Sequence, residues 1–128
     1  MTQEDKDLLL KDLLARLPYR VICRVYTSIE YNFHVNWKVI PSNIEWFIGN
    51  VDFFKIQPYL RPLSSMTEEE EKEYTDIDNR SYSCPKDYAH IPASDRIDWL
   101  NKHRFDYRGL IEKGLACEVT EKDNPYKD

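Results

Sequence analysis

The chain has 128 residues, a formal net charge of −5, and 13% aromatic residues within a hydrophobic share of 41%. That length holds one ordinary core without staples, and the composition belongs to a folded chain, not a disordered one. The negative balance argues against general electrostatic attachment to nucleic acid or an anionic membrane. No run approaches the roughly 18 apolar residues of a membrane span, and no signal-peptide pattern opens the chain. Cys23, Cys84 and Cys117 are few, odd in number and far apart, which suits a reducing cytoplasm better than a disulfide framework. The expectation is a soluble cytoplasmic protein of one domain, residues 1–128.

Residues 1–17 read as an amphipathic helix. Leu10, Leu13, Leu14 and Leu17 recur at helical spacing with Leu9 flanking them, and Lys6, Asp7, Lys11 and Asp12 cover the other side. Thr2 is placed to cap the start and Pro18 to stop the helix. Residues 18–57 then change period. Val21, Cys23 and Val25 alternate with Ile22 and Arg24 over a first strand at 20–26, a turn follows at 27–31, and Phe33, Val35, Trp37 and Val39 alternate with Asn32, His34, Asn36 and Lys38. After Pro41-Ser42-Asn43, the alternation of Ile44, Trp46 and Ile48 predicts a third strand, and 53–56 a short fourth. Strands so closely spaced predict a four-stranded antiparallel meander, with an SH3-like partial barrel as one form of it and the first helix against one side.

Residues 58–66 read as a stiff connector, because Pro58 and Pro62 fix φ and push Gln57 and Arg61 toward extended backbone. Residues 67–117 form a helical part. Thr67 and Glu70 have the spacing of a capping box, and Glu68 to Glu71 place negative charge in the first turn, where the helix dipole favours it. Residues 78–90 carry no periodicity and predict a loop. Ser94 is the expected cap of a short helix to about His103, with Ile97 and Leu100 inward. Asp106 is the expected cap of another through Lys113, ended by Gly114. Residues 118–128 are a polar tail, expected to fray. The fold class is therefore α+β: a helix, a meander, then two or three short helices.

Chemical motifs are sparse. Metal ligation wants converging pairs such as Cys-x₂-Cys, whereas Cys84, His90 and His103 form no close pair and His34 lies on the polar side of its strand. No nucleophile elbow or phosphate-cradling loop exists, with only Gly49, Gly109 and Gly114 in the chain. Capping and solvated faces account for Asp95, Asp98 and Asp106. The residues thus predict no metal, no cofactor and no catalytic site. Two binding patterns remain. Between Pro18 and Pro62, five Lys or Arg face three acids, a local +2 that leaves −7 elsewhere. Arg20, Arg24 and Lys38 among the rings of Trp37 and Trp46 are the pattern of a weak single-stranded nucleic-acid binder. Tyr59, Arg61, Tyr107 and Arg108 are residue types that dominate protein interfaces, and serve internal docking equally well if the two segments meet.

Three motifs carry a resemblance. Residues 8–19 (LLLKDLLARLPY), 58–71 (PYLRPLSSMTEEEE) and 98–116 (DWLN followed by FDYRGLIEKGLA) resemble those of a family of small uncharacterised proteins of Bacteroides-type gut bacteria, found in prophage or mobile-element settings. The resemblance covers about half the chain and leaves out the β region. It implies a context and assigns no activity, cofactor or site residue. The leading expectation is a non-enzymatic accessory or interaction protein of a mobile element, acting through a protein partner. Weak nucleic-acid binding is the alternative, and no membrane association is expected.

Overall fold

A computed structural model describes residues 2–26, 33–83 and 91–126, and side-chain statements leave out 78–83 and 91–95. The first helix, α1 (Gln3–Arg16), starts as expected: Thr2 Oγ1 accepts the amide of Asp5 at 3.1 Å. Pro18 ends it in a 3-10 turn, Leu17–Tyr19. The buried stripe, however, is Leu9, Asp12, Leu13 and Arg16, and Leu14 is 49% exposed. The helix is rotated about one residue from the all-leucine stripe, so that Asp12 enters the interior. Its carboxylate accepts Arg16 Nε at 2.8 Å and Arg108 Nη1 at 3.0 Å, while Arg16 Nη2 donates to the carbonyl of Phe105 at 2.6 Å.

Strand β1 (Ile22–Tyr26) pairs antiparallel with β2 (His34–Lys38), as the alternation predicts. The expected turn at 27–31 lies outside the described residues. The third predicted strand is instead a helix, α2 (Ile44–Asn50). A short apolar run satisfies both periods, and here the turn before it decides. Asn43 Oδ1 accepts the amide of Ile40 at 2.9 Å and its Nδ2 donates to the carbonyl of Lys38 at 2.8 Å. This clamp folds the chain back from β2, and Phe47 and Val51, four apart, then share one buried helical face.

The expected connector is the strand at the middle of the sheet. Strand β3 (Ile56–Pro62) pairs antiparallel with β1 and parallel with both β4 (Phe105–Asp106) and β5 (Cys117–Glu118). Pro58 is tolerated there because of its register. Tyr26 N donates to the carbonyl of Lys55 at 3.0 Å, so alternation makes Cys23 and Pro58 a non-hydrogen-bonded pair, and no bond to β1 is lost. The α+β class stands, but the sheet is mixed and open, ordered β2-β1-β3-β4 with β5 also on β3, not an antiparallel meander or partial barrel.

The helical part keeps its predicted start. In α3 (Glu68–Ser83), Thr67 N donates to Glu70 Oε1 at 3.0 Å and Glu70 N to Thr67 Oγ1 at 3.2 Å, a complete capping box. The helix runs through 83, into the predicted loop, whose residues 84–90 lie outside the described ones. Helix α4 (Ile91–Lys102) places Ser94 inside the helix and not at its cap; Leu100 is buried as expected, but Ile97 is 45% exposed. Among the described residues no helix follows Asp106. Its carboxylate accepts the amides of Leu110 and Ile111, both at 2.9 Å, and Gly109 at φ 76° turns the chain before a helical ladder forms.

The tail is not frayed through Tyr126. The Tyr126 hydroxyl accepts the amide of Ile22 at 2.8 Å and donates to the carbonyl of Tyr59 at 2.9 Å. Extending the β1–β3 register makes Ile22 and Tyr59 opposite residues, so the hydroxyl bridges the ladder where the strands separate. Among the described residues, no helix is long and apolar enough to cross a membrane.

Candidate protein-interaction surface

Strand β2 is the first in the sheet order and, among the described residues, has a neighbouring strand on one side only. Val39 N donates to the carbonyl of Val21 at 2.8 Å, and the register places Trp37 opposite Cys23 and Val35 opposite Val25. Backbone groups of 35, 37 and 39 therefore point into the sheet, and those of His34, Asn36 and Lys38 point out. The Lys38 carbonyl is held by Asn43. Among the described residues no strand pairs with the outward amides of 34, 36 and 38 or the carbonyls of 34 and 36. A row of such groups is a template for another chain.

Beside this edge the aromatic side chains form a wall. Trp37 meets Trp46 edge-on with ring centroids 4.8 Å apart, Trp46 meets Phe47 edge-on at 5.3 Å, and Trp46 stacks on Phe54 at 5.7 Å. Phe47 is fully buried, so the stack is anchored in the core while its outer ring, Trp37, stays 44% exposed. Trp37 and Trp46, with Ser42, Asn43 and Glu45, line an open cleft of about 400 Å³. A free strand edge beside an apolar cleft is what strand addition requires: main-chain bonds supply affinity, and a side-chain pocket supplies selectivity.

The residues expected to form a protein surface are brought together, but inward. Register pairs Arg61 with Phe105 and Pro62 with Asp106, so the segments of Tyr59 and Tyr107 do adjoin. Tyr59 is fully buried, a correction to its place on a surface; its hydroxyl accepts Arg24 Nε at 2.9 Å. Arg61 grips Glu70 with two bonds of 2.6 and 2.7 Å and lies 4.3 Å above the Phe105 ring. Tyr107 donates to Asn101 Oδ1 at 3.0 Å, under the guanidinium of Arg108, which itself holds Asp12. All four dock one part of the chain on another.

Glu70 carries a measurable consequence. The two hydrogen bonds from Arg61 are the largest cause holding its carboxyl at about 2, below the ordinary 4.5, against an opposing effect of burial. The stabilisation from this pair is present above pH 4.5 and is lost as pH falls through the folded value. Glu70→Gln is expected to flatten the dependence of unfolding free energy on pH between 4.5 and 2, read from urea titrations at several pH values.

The nucleic-acid set does not form one surface. Trp37 and Lys38 are successive strand residues and leave the sheet on opposite faces. Arg20 and Lys38 line a separate concavity with Leu17, Pro18, Ile40 and Pro41. Arg24 is spent on Tyr59 and on an ion pair with Asp123, and Trp46 on its aromatic neighbours. Among the described residues no group of three or more His, Cys, Asp or Glu is placed to hold a metal ion; Cys84 and His90 lie outside them. Burial pushes the thiols of Cys23 and Cys117 above their ordinary range, the opposite of nucleophile activation. The free edge was hidden in the sequence because reading 44–48 as a strand put β2 in the interior of a meander. Comparison with family models, with curated proteins and with solved structures finds no match.

Proposed function

We propose that this chain is a non-enzymatic interaction protein that binds a protein partner by adding one of the partner's strands to the outer edge of β2. The observation that carries the reading is the open edge at His34 and Asn36 beside the Trp37–Trp46 cleft. The conserved geometry of strand pairing makes a partner residue next to Trp37 share its face, where the cleft receives it. Internal use of Tyr59, Arg61, Tyr107 and Arg108 moves the expected partner site from those residues to β2. The dispersal of the basic and aromatic set speaks for a protein partner over a nucleic acid. A cytoplasmic setting fits the free thiols of Cys23 and Cys117, and an accessory role in a prophage or mobile element rests on the three sequence motifs alone.

Panning a displayed peptide library against the protein and against Asn36→Pro tests the proposal. Proline removes the outward amide of Asn36 without touching the bonds to β1. Enriched peptides are expected to lose binding to Asn36→Pro and to keep it with Asn36→Ala. Peptides that bind all three proteins equally would contradict strand addition.

A further inference from the structure

The partner strand's chemistry can be read from the two faces it would extend. From the charge around β2 we infer that the occupant of this edge is an extended peptide alternating apolar and acidic residues, an inference that rests on the strand-addition reading. Any strand laid beyond β2 has side chains that alternate between the faces. On one face its neighbours are Val35 and Trp37, with the cleft of Trp37 and Trp46 open beside them. Glu45 lines that cleft, which disfavours an acid there and leaves room for a large apolar side chain.

The other face is basic. Lys38 is exposed at one end of β2, and Arg20, also exposed, lies across a shared concavity from it. Arg24 stands opposite Asn36, the middle outward residue. Among the described residues the acid paired there is Asp123, on Arg24; three cations less one carboxylate leave +2. A chain of net charge −5 thus turns a positive strip toward the open edge of β2. Opposite charges across a strand pair attract, and like charges repel. Acidic residues at every second position satisfy this strip, while lysines there oppose it.

The test uses two blocked seven-residue peptides, acetylated and amidated, with leucine and a central phenylalanine alternating with either glutamate or lysine. Binding is followed by backbone amide shifts of the full chain. The glutamate peptide is expected to shift His34 and Asn36 and to bind about three- to ten-fold tighter than the lysine peptide at low salt, with the gap closing near 0.5 M salt as screening shortens to a few ångströms. Lys38→Glu, which takes the strip from +2 to zero, is expected to remove the preference, and Asn36→Pro to abolish binding of both. Equal binding of the two peptides at the edge would overturn the acidic partner and leave strand addition standing. If neither peptide shifts His34 or Asn36, strand addition itself fails. Oligothymidylate binding that survives Asn36→Pro would overturn both in favour of a nucleic acid. A dimer in sedimentation that Asn36→Pro dissociates would make the occupant a second copy.

Discussion

Asp12→Ala is expected to destabilise the protein by about 3–5 kcal/mol, the cost of breaking a buried ion pair from one side. Asp12 and Arg16 are both fully buried, four residues apart on α1. Asp12 also holds Arg108, and Arg16 Nη1 is buried with no partner among the described residues. Removing the carboxylate leaves a guanidinium in the interior with the Phe105 carbonyl as its remaining acceptor. Folded domains are stable by only about 5–15 kcal/mol, so this one change reaches a large fraction of the total. The double change Asp12→Leu with Arg16→Met removes both charges and is expected to recover most of the loss, because apolar replacements of buried pairs are often neutral or stabilising. Urea unfolding of the two variants measures both effects. A single variant within 1 kcal/mol of the parent would show that the pair is solvated.

Tyr126→Phe is the second large effect, at about 1–3 kcal/mol for each buried backbone group left unmade. The hydroxyl satisfies the amide of Ile22 and the carbonyl of Tyr59 together. The ring remains in the phenylalanine variant, still 3.8 Å from the Arg104 guanidinium, so the difference isolates the hydroxyl. Ending the chain after Thr120 removes the ring and the Arg24–Asp123 pair as well, and is expected to lower the urea midpoint further. An unchanged midpoint in both variants would mean that the tail contributes nothing to the ladder.

The same two residues show where sequence reading reaches its limit. Residues 8–10 are three leucines in a row, so α1 has two overlapping stripes: 10, 13, 14, 17, all apolar, and 9, 12, 13, 16, half charged. A rule that keeps charge out of cores selects the first. The fold selects the second, because Arg108 and the Phe105 carbonyl arrive from some 90 positions away to satisfy the pair. Tyr126 lies in a stretch as polar as any frayed end, and only the separation of β1 from β3 creates its place. Local signals fared better: Thr2, Pro18, the Thr67–Glu70 box and the alternation of β1 and β2 specify their elements without help from distant residues. Ile44 to Ile48 fits both periods, and misreading it as a strand concealed the open edge that the proposed function uses. Arg61 and Tyr107 were legible as one locality, yet their inward direction depends on Glu70, Asn101 and Phe105, which no spacing announces.

Residue-by-residue amide hydrogen exchange of the isolated protein tests the central claim most directly. With β2 at a free edge, the amides of Val35, Trp37 and Val39 are protected by β1, and those of His34, Asn36 and Lys38 exchange fast. An alternation of slow and fast along six successive residues is the expected result. Protection of His34 and Asn36 equal to that of Val35 and Trp37 would mean that the edge is already covered, and would contradict a surface open to a partner strand.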